Sequence, residues 1–220
     1  MRRLLALVAL SGLAATSAHA QPDAVAAGRT IFEHGTEAGR PACASCHMSN
    51  GAGQPDVGIP RLAGLTSSYI ADQLNYFASG ARQNAAMSAY AALLSPGQRV
   101  EVAQYLQSIP IPVSADVPAP PVAQLARGAQ VFLNGDEHSG LVACAQCHGP
   151  TALGVGDFSP RLAGQSAPYV MSELQAWQAG DMRDPKGIYM RAVARHLTTG
   201  DLQAVAAYVA SLDGQGGRKP

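Results

Sequence analysis

Cys43-Ala44-Ser45-Cys46-His47 and Cys144-Ala145-Gln146-Cys147-His148 are one five-residue pattern written twice, 101 positions apart. Two cysteines about one helical turn apart can each bond a vinyl carbon of the same porphyrin, and a histidine directly after them falls under the iron. The pattern is the attachment box of a c-type haem. A C-x-x-C pair also occurs in thioredoxin-like redox centres, but those need a βαβ setting, and no β-rich run flanks either box. Two such pairs can build a structural zinc site, where they normally lie much closer in the chain. Histidine after both pairs favours haem. All four cysteines of the chain lie in the boxes.

The repetition extends outward from the boxes. Gly28-x-x-x-Phe32 matches Gly128-x-x-x-Phe132, and Pro60-Arg61-Leu62-Ala63-Gly64 matches Pro160-Arg161-Leu162-Ala163-Gly164. Tyr69, Leu74 and Gly80 recur as Tyr169, Leu174 and Gly180; Met87, Leu94 and Tyr105 as Met190, Leu197 and Tyr208. The offset drifts from 100 to 103, so the copies differ by short insertions, the largest between Gly180 and Met190. The chain therefore duplicates a unit of about 90 residues. Closely spaced prolines between Pro110 and Pro121 forbid helix and predict a semi-rigid connector. The expected division is 1–20 leader, 21–109 first domain, 110–121 linker, 122–214 second domain and 215–220 flexible tail.

Each unit is patterned for helix. The spacing predicts helices over 23–32 and 122–132, and over 67–79 with Ser67 or Ser68 as N-cap. A last helix opens at Ser95-Pro96, with buried Val102, Tyr105, Leu106 and Ile109; its counterpart carries Leu202, Val205, Tyr208, Val209 and Leu212. No segment predicts a strand. Aromatic residues are only 5% of the chain, so a haem in each unit would supply the apolar bulk that the side chains lack.

Composition excludes some functions. The chain is 47% hydrophobic and 14% charged, with net charge zero and no basic patch to suggest nucleic acid. Arg2-Arg3, the apolar run from Leu4 to Leu10 and Ala18-His19-Ala20 form a secretory leader cleaved after Ala20, too short in its apolar part to span a bilayer. Loss of Arg2 and Arg3 leaves 13 positive against 15 negative charges, about −2. The expected location is the periplasm.

What fills the sixth position on each iron decides the chemistry. Met87 and Met190 recur at matched positions, each eight residues before the polar opening of the last helix, at Ser95 and Thr198. A thioether is a soft ligand that favours the ferrous state and raises the potential, as electron transfer requires. Met182 competes with Met190 because of the insertion, and Met48 is too close to its box to reach the opposite face. His34, His138 and His196 have no counterparts and read as solvent-facing. The carbonyls of Pro60 and Pro160 are candidate acceptors for the haem histidines' second N–H. Arg61 and Arg161 either neutralise a haem propionate or are solvated surface charges. Tyr69, Tyr169 and Trp177 read as packing residues.

In this order, Gly-x-x-x-Phe, C-x-x-C-H, Pro-x-Leu-Ala-Gly, Tyr-x-x-x-x-Leu, Gly80-x-Arg82, Met87 and Leu94-Ser95 resemble the class I cytochromes c. Two such units behind a leader resemble the periplasmic dihaem cytochromes c(4), over nearly all the mature chain. The resemblance implies an all-α fold of two tandem cytochrome c domains related by a pseudo-twofold axis with haem edges facing each other. It implies two covalent haem c groups on Cys43, Cys46, Cys144 and Cys147, with axial ligands His47, Met87, His148 and Met190. It also implies that Gly28 and Phe32 pack on Tyr105, and Gly128 and Phe132 on Tyr208. The segment from Asp181 to Tyr189 is longer than its counterpart, and Met182-Arg183 matches Gly80-Ala81-Arg82 imperfectly. The expected function is one-electron transfer in a respiratory chain to a terminal oxidase, with no catalysis and no nucleic acid. Redox partners would be an oxidase, a membrane cytochrome complex or a dehydrogenase, with peripheral membrane association open. The alternatives are the electron-accepting subunit of a sulfide- or alcohol-oxidising dehydrogenase, or a dihaem peroxidase, which would need a displaceable ligand.

Overall fold

Alanine-rich segments with apolar residues three and four apart form the long helices, and polar residues at their first turns set where they begin. The computed structural model describes residues 22–36, 39, 41–112, 119–157, 159–181, 185–213 and 217. The expected leader, Met182-Arg183, half of the linker and most of the tail lie outside the described residues. The first half contains α1 (Pro22–His34), α2 (Ala44–His47), a 3-10 turn (Pro55–Val57), α3 (Ser67–Ser79), α4 (Ala85–Ala92) and α5 (Pro96–Ser108). The second contains α6 (Val122–Asn134), α7 (Ala145–His148), α8 (Ala167–Ala179), α9 (Ile188–Ala194) and α10 (Thr199–Ser211). The described residues form no sheet, only isolated bridges such as Gln54 with Ile59.

The two halves bury separate cores. One gathers Phe32, Leu74, Phe77, Val102 and Leu106; the other Phe132, Leu174, Trp177, Val205 and Val209. In each, the first long helix crosses the last, and the middle helix packs on the last. The crossing is possible because Gly28 and Gly128 carry no side chain: a Cβ there would lie 2.0 Å from the Glu101 carbonyl oxygen and 2.1 Å from that of Ala204. Phe32 then meets Tyr105 at 5.7 Å between ring centroids, and Phe132 meets Tyr208 at 5.6 Å. The expected pairings hold, except that Gly28 abuts Glu101 and Val102 rather than Tyr105 itself.

Capping shows where the sequence was readable. Ser95 and Gln98 exchange hydrogen bonds as a capping box at the start of α5. Thr198 and Asp201 do the same for α10. Thr66, not Ser67 or Ser68, caps α3, its hydroxyl accepting from the Tyr69 N–H; three consecutive hydroxyl residues made the boundary ambiguous by one position. Helices α4 and α9, which carry the matched methionines, were not anticipated. Asn84 caps α4 through the Met87 N–H, whereas α9 has no side-chain cap.

Asp201 ties α10 to α6. Its carboxylate serves the capping box and accepts from Arg127 Nε at 2.8 Å, while Arg127 also pairs with Asp136 at 3.0 Å. Burial pushes the Asp201 pKa up, but the hydrogen bonds from Arg127 and Thr198 outweigh it and the net direction is down. A lowered folded-state pKa stabilises fully above the ordinary value of 3.8 and fades as pH falls through the folded value. Asp201→Asn is therefore expected to cost the second domain about 1 kcal/mol at neutral pH, with the difference from wild type shrinking in acid. Denaturant titrations of both holoproteins at neutral and acidic pH check this; a pH-independent difference would contradict it.

The domains meet through reciprocal contacts. The turn 55–57 packs on α8, and the equivalent loop in the second half returns the contact, with Ser68 at the start of α3 donating to Asp157. Such self-complementary pairing is that of a pseudo-twofold arrangement. At its centre the two Pro-Arg-Leu-Ala-Gly loops meet: Gln165 accepts from the Arg61 N–H and donates to the Arg61 carbonyl, both at 3.0 Å. To one side Arg82 donates to Gln73 at 2.6 Å, to Glu173 at 2.9 Å and to the Tyr169 hydroxyl at 3.1 Å. Tyr169 is thus an interface hydrogen-bonding residue as well as a packing one. An exposed ion pair, Lys186 with Asp72 at 2.7 Å, also crosses from the longer second-domain segment.

Candidate haem sites

Each box folds as a single helical turn. The Cys43 carbonyl accepts from the His47 N–H at 3.0 Å, and the Cys144 carbonyl from the His148 N–H at 2.9 Å. That turn buries both imidazoles and one thiol of each pair more deeply than the other. Before a haem is attached, burial pushes the Cys43 thiol up and the Cys144 thiol up to about 11.

The histidine rings are oriented as a metal ligand requires. His47 Nδ1 lies 3.1 Å from the Pro60 carbonyl oxygen and His148 Nδ1 lies 2.9 Å from that of Pro160. A carbonyl only accepts, so Nδ1 carries the proton and the Nε2 lone pair is left for iron. Burial holds both imidazoles below the ordinary histidine pKa, and the proline hydrogen bonds only partly offset this. Neutral, donor-ready rings result.

Two residues missed in the sequence keep those carbonyls in place. Gly53 N–H donates to the His47 carbonyl and Gly154 N–H to that of His148, both at 3.0 Å. A Cβ on Gly53 would lie 2.5 Å from the Pro60 oxygen, and one on Gly154 3.0 Å from the Pro160 carbonyl carbon. Each glycine thus closes a loop from the histidine back to the carbonyl that orients its ring. The spacing, Gly53 to Gly154, was available as a further match at offset 101.

The matched methionines lie on short helices at the edge of each core. Met87, half-buried on α4, packs on the core that Cys43 also touches; Met190, half-buried on α9, packs on the core that Cys144 touches. Met48 is exposed, as expected, but its backbone is unusual: φ 63°, ψ 152°. Its counterpart Gly149 has nearly the same angles, 75° and 155°. That region costs a residue with a Cβ about 1–3 kcal/mol. Met48→Gly is expected to stabilise the first domain by about 1 kcal/mol, after the glycine's greater unfolded-state entropy is counted. A higher denaturation midpoint for the holoprotein is the check, and an unchanged or lower one would contradict it. Among the other histidines, His34 and His138 face solvent, whereas His196 is partly buried with Nδ1 2.7 Å from the Ser139 carbonyl oxygen. His196 is therefore a tether between α9 and the loop before the second box, not a free surface group.

The cytochrome c family model matches residues 25–110 and again 125–213. The chain belongs to the cytochrome c family. It is 41% identical over 216 residues to a thiosulfate dehydrogenase electron acceptor of Thiomonas intermedia, covering 96% of this chain and 91% of that one. It is 29% identical over 211 residues to cytochrome c4 of Pseudomonas aeruginosa, covering 95% and 96%. Among solved structures it is similar to reduced recombinant cytochrome c4 from Pseudomonas stutzeri (TM-score 0.73, 27% identity, 87% of this chain and 99% of that one). It is also similar to part of a thiosulfate dehydrogenase, TsdBA, from Marichromatium purpuratum (TM-score 0.78, 36% identity). The match covers 86% of this chain and spans 40% of that one.

Two tandem cytochrome c domains carry two covalently bound haem c groups. The residues present fit such a group. Reduced thiols and an imidazole with a free Nε2 occur together in each half, and Met87 and Met190 lie against the same cores as Cys43 and Cys144.

Proposed function

We propose that each domain holds one haem c, through Cys43 and Cys46 with axial His47 and Met87, and through Cys144 and Cys147 with axial His148 and Met190. The observation that carries this reading is the oriented imidazole: in both domains the ring's Nδ1–H is spent on a proline carbonyl, leaving Nε2 as a ligand. The haem supplies an iron that gains and loses one electron. The chain's residues hold it rigid. The one-turn box sets the histidine, the Gly53 and Gly154 loops hold the ring, and α4 and α9 bring a thioether from the edge of the core. With a histidine and a methionine from each domain holding its haem, the residues would leave no position for a substrate on iron, and this favours a carrier over an enzyme.

The relatives named as thiosulfate dehydrogenase electron acceptors support a donor of that kind: a dehydrogenase that oxidises thiosulfate passes electrons to this chain. The structural match to part of TsdBA supports the same assignment. Onward delivery to a terminal oxidase completes the reading. We place the protein in the periplasm after removal of residues 1–20, with domains at 21–109 and 122–214. No described helix is long and apolar enough to cross a membrane.

Met87→Ala and Met190→Ala test the ligation. Each is expected to remove about half of the thioether-to-iron charge-transfer band and to lower one of two midpoint potentials, on the order of 0.1 V or more. Retention of the full band in both variants would overturn the assignment. Stopped-flow mixing of the oxidised protein with a thiosulfate dehydrogenase and thiosulfate tests the donor. No reduction faster than with thiosulfate alone would reject it.

A further inference from the structure

Gln165 belongs to the second domain but spends its side chain on the first. It is buried, at 4% exposure; its Oε1 accepts from the Arg61 N–H and its Nε2 donates to the Arg61 carbonyl, both at 3.0 Å. The way the amide faces is fixed by its partners, since a backbone N–H can only donate and a carbonyl can only accept. Oε1 also accepts from the Ser166 N–H at 3.0 Å, which steadies the side chain near its base. The neighbouring backbone is held from within the first domain: the Leu62 and Ala63 N–H groups donate to the Gly51 carbonyl at 2.8 and 3.1 Å. Pairing two buried backbone groups is reason enough for a glutamine here. What those groups are joined to gives it a second effect.

The Arg61 N–H and the Pro60 carbonyl are the two ends of one planar peptide group, and that carbonyl oxygen lies 3.1 Å from His47 Nδ1. A chain of hydrogen bonds therefore runs from Gln165 Oε1, through the Pro60–Arg61 peptide, to the His47 ring. Each link polarises the next. An acceptor at the N–H end moves electron density toward the carbonyl oxygen, which then accepts more strongly from Nδ1–H. The imidazole becomes more electron-rich at Nε2, the atom left for iron. The first domain does not return the favour. Leu65 stands at the position matched to Gln165, buried in its own core, and its side chain has no polar atom.

We propose that Gln165 is a positioning residue for the iron ligand of the other domain: through the Pro60–Arg61 peptide it orients His47 and strengthens it as a donor. The proposal rests on the axial role of His47 given above. Its sign is set by the chemistry. A more electron-rich imidazole favours ferric iron, so loss of the glutamine acceptor raises the midpoint of the first haem.

The test combines a redox titration with proton and nitrogen NMR of the reduced holoprotein, comparing wild type, Gln165→Leu and Glu173→Ala. The first haem's midpoint is the one that Met87→Ala displaces. In Gln165→Leu the reduced-to-oxidised ratio of that haem, at the wild-type midpoint, is expected to rise about threefold. The His47 Nδ1–H resonance should move upfield and exchange with solvent faster, while that of His148 stays in place. Glu173→Ala loosens the docking without touching the Pro60–Arg61 peptide, and should leave the His47 ring proton where it is. An unmoved His47 ring proton in Gln165→Leu, or a midpoint that is unchanged or lower, overturns the proposal. An equal movement of that proton in Glu173→Ala overturns it too, because docking alone would then account for the effect. If Gln165→Leu does not yield holoprotein, Gln165→Asn decides on the same two readings: its shorter amide cannot span both Arg61 groups, and wild-type values in it overturn the proposal. His47 ring protons without a porphyrin ring-current shift in the wild type would instead sink the ligation on which the proposal rests.

Discussion

Gly28→Ala is expected to destabilise the first domain by about 3 kcal/mol, and Gly128→Ala the second by a similar amount. Alanine is the better helix former by about 1 kcal/mol, so on propensity alone both changes would stabilise. Packing reverses the sign. The added carbon at position 28 would lie 2.0 Å from the Glu101 oxygen, 2.4 Å from its carbonyl carbon and 2.9 Å from the Val102 nitrogen. All three are backbone atoms of α5 and cannot rotate aside; α1 must back away from α5. That separates Phe32 from Tyr105 and stretches the 2.9 Å hydrogen bond from the Tyr105 hydroxyl to Glu33. At position 128 the neighbours are the Ala204 carbonyl and the Tyr208 Cβ, equally immovable. Denaturant unfolding of the holoproteins, followed by haem absorbance, measures both. A midpoint equal to or above wild type for either variant would mean the helices do not cross as described.

The second large effect is expected from Glu173→Ala. It leaves Arg82 buried with only the Tyr169 hydroxyl and Gln73, and removing one member of a buried ion pair typically costs about 3–5 kcal/mol. The present pair holds Arg82 firmly charged: burial pulls its pKa down, but Tyr169 and Glu173 outweigh that and the net shift is upward. The cost should fall on the docking of the two domains more than on either core. Arg82 also sits five residues before Met87; its guanidinium lies 4.6 Å from the Phe77 ring centroid, and the Ser88 hydroxyl of α4 donates to its carbonyl. A substitution in the second domain is therefore expected to loosen the methionine side of the first. The measurement is the thermal stability of the thioether band in Glu173→Ala beside Glu173→Gln, which keeps a neutral acceptor and should lose less. If only the second domain's spectrum responds, the interface does not couple to α4.

What was legible in the sequence follows from what acts locally. The boxes, the capping residues Ser95 and Thr198 and the glycine beside Phe32 each work through neighbours within a few residues or through a repeated pattern. Duplication amplified them, because a weak signal at one position became a strong one at two. The helix carrying Met87 had a readable sign, Asn84 followed by two alanines, but α9 lacks a capping side chain, so the comparison between copies hid both. Arg61, Arg82 and Gln165 were not readable as interface residues. Their partners lie some 90 to 104 positions away, and burial of an arginine is decided only when two folded surfaces meet. Arg61 illustrates the point: of its two readings, propionate partner or solvated surface charge, burial at the interface removes the second, and its guanidinium donates to the Ala63 and Ala163 carbonyls.

The self-complementary interface has a consequence for how such a chain can change over time. Two identical subunits meeting about a twofold axis must carry every substitution twice, so both electron sites remain alike. Joining the copies end to end removes that obligation. Gln73 and its counterpart Glu173 already differ, and so do the environments of Arg61 and Arg161. A buried charge can then be spent on one side only. Fusion thus permits a downhill step from one haem to the other, which a symmetric pair cannot offer, and gives a polarity to a molecule built from two copies of one part.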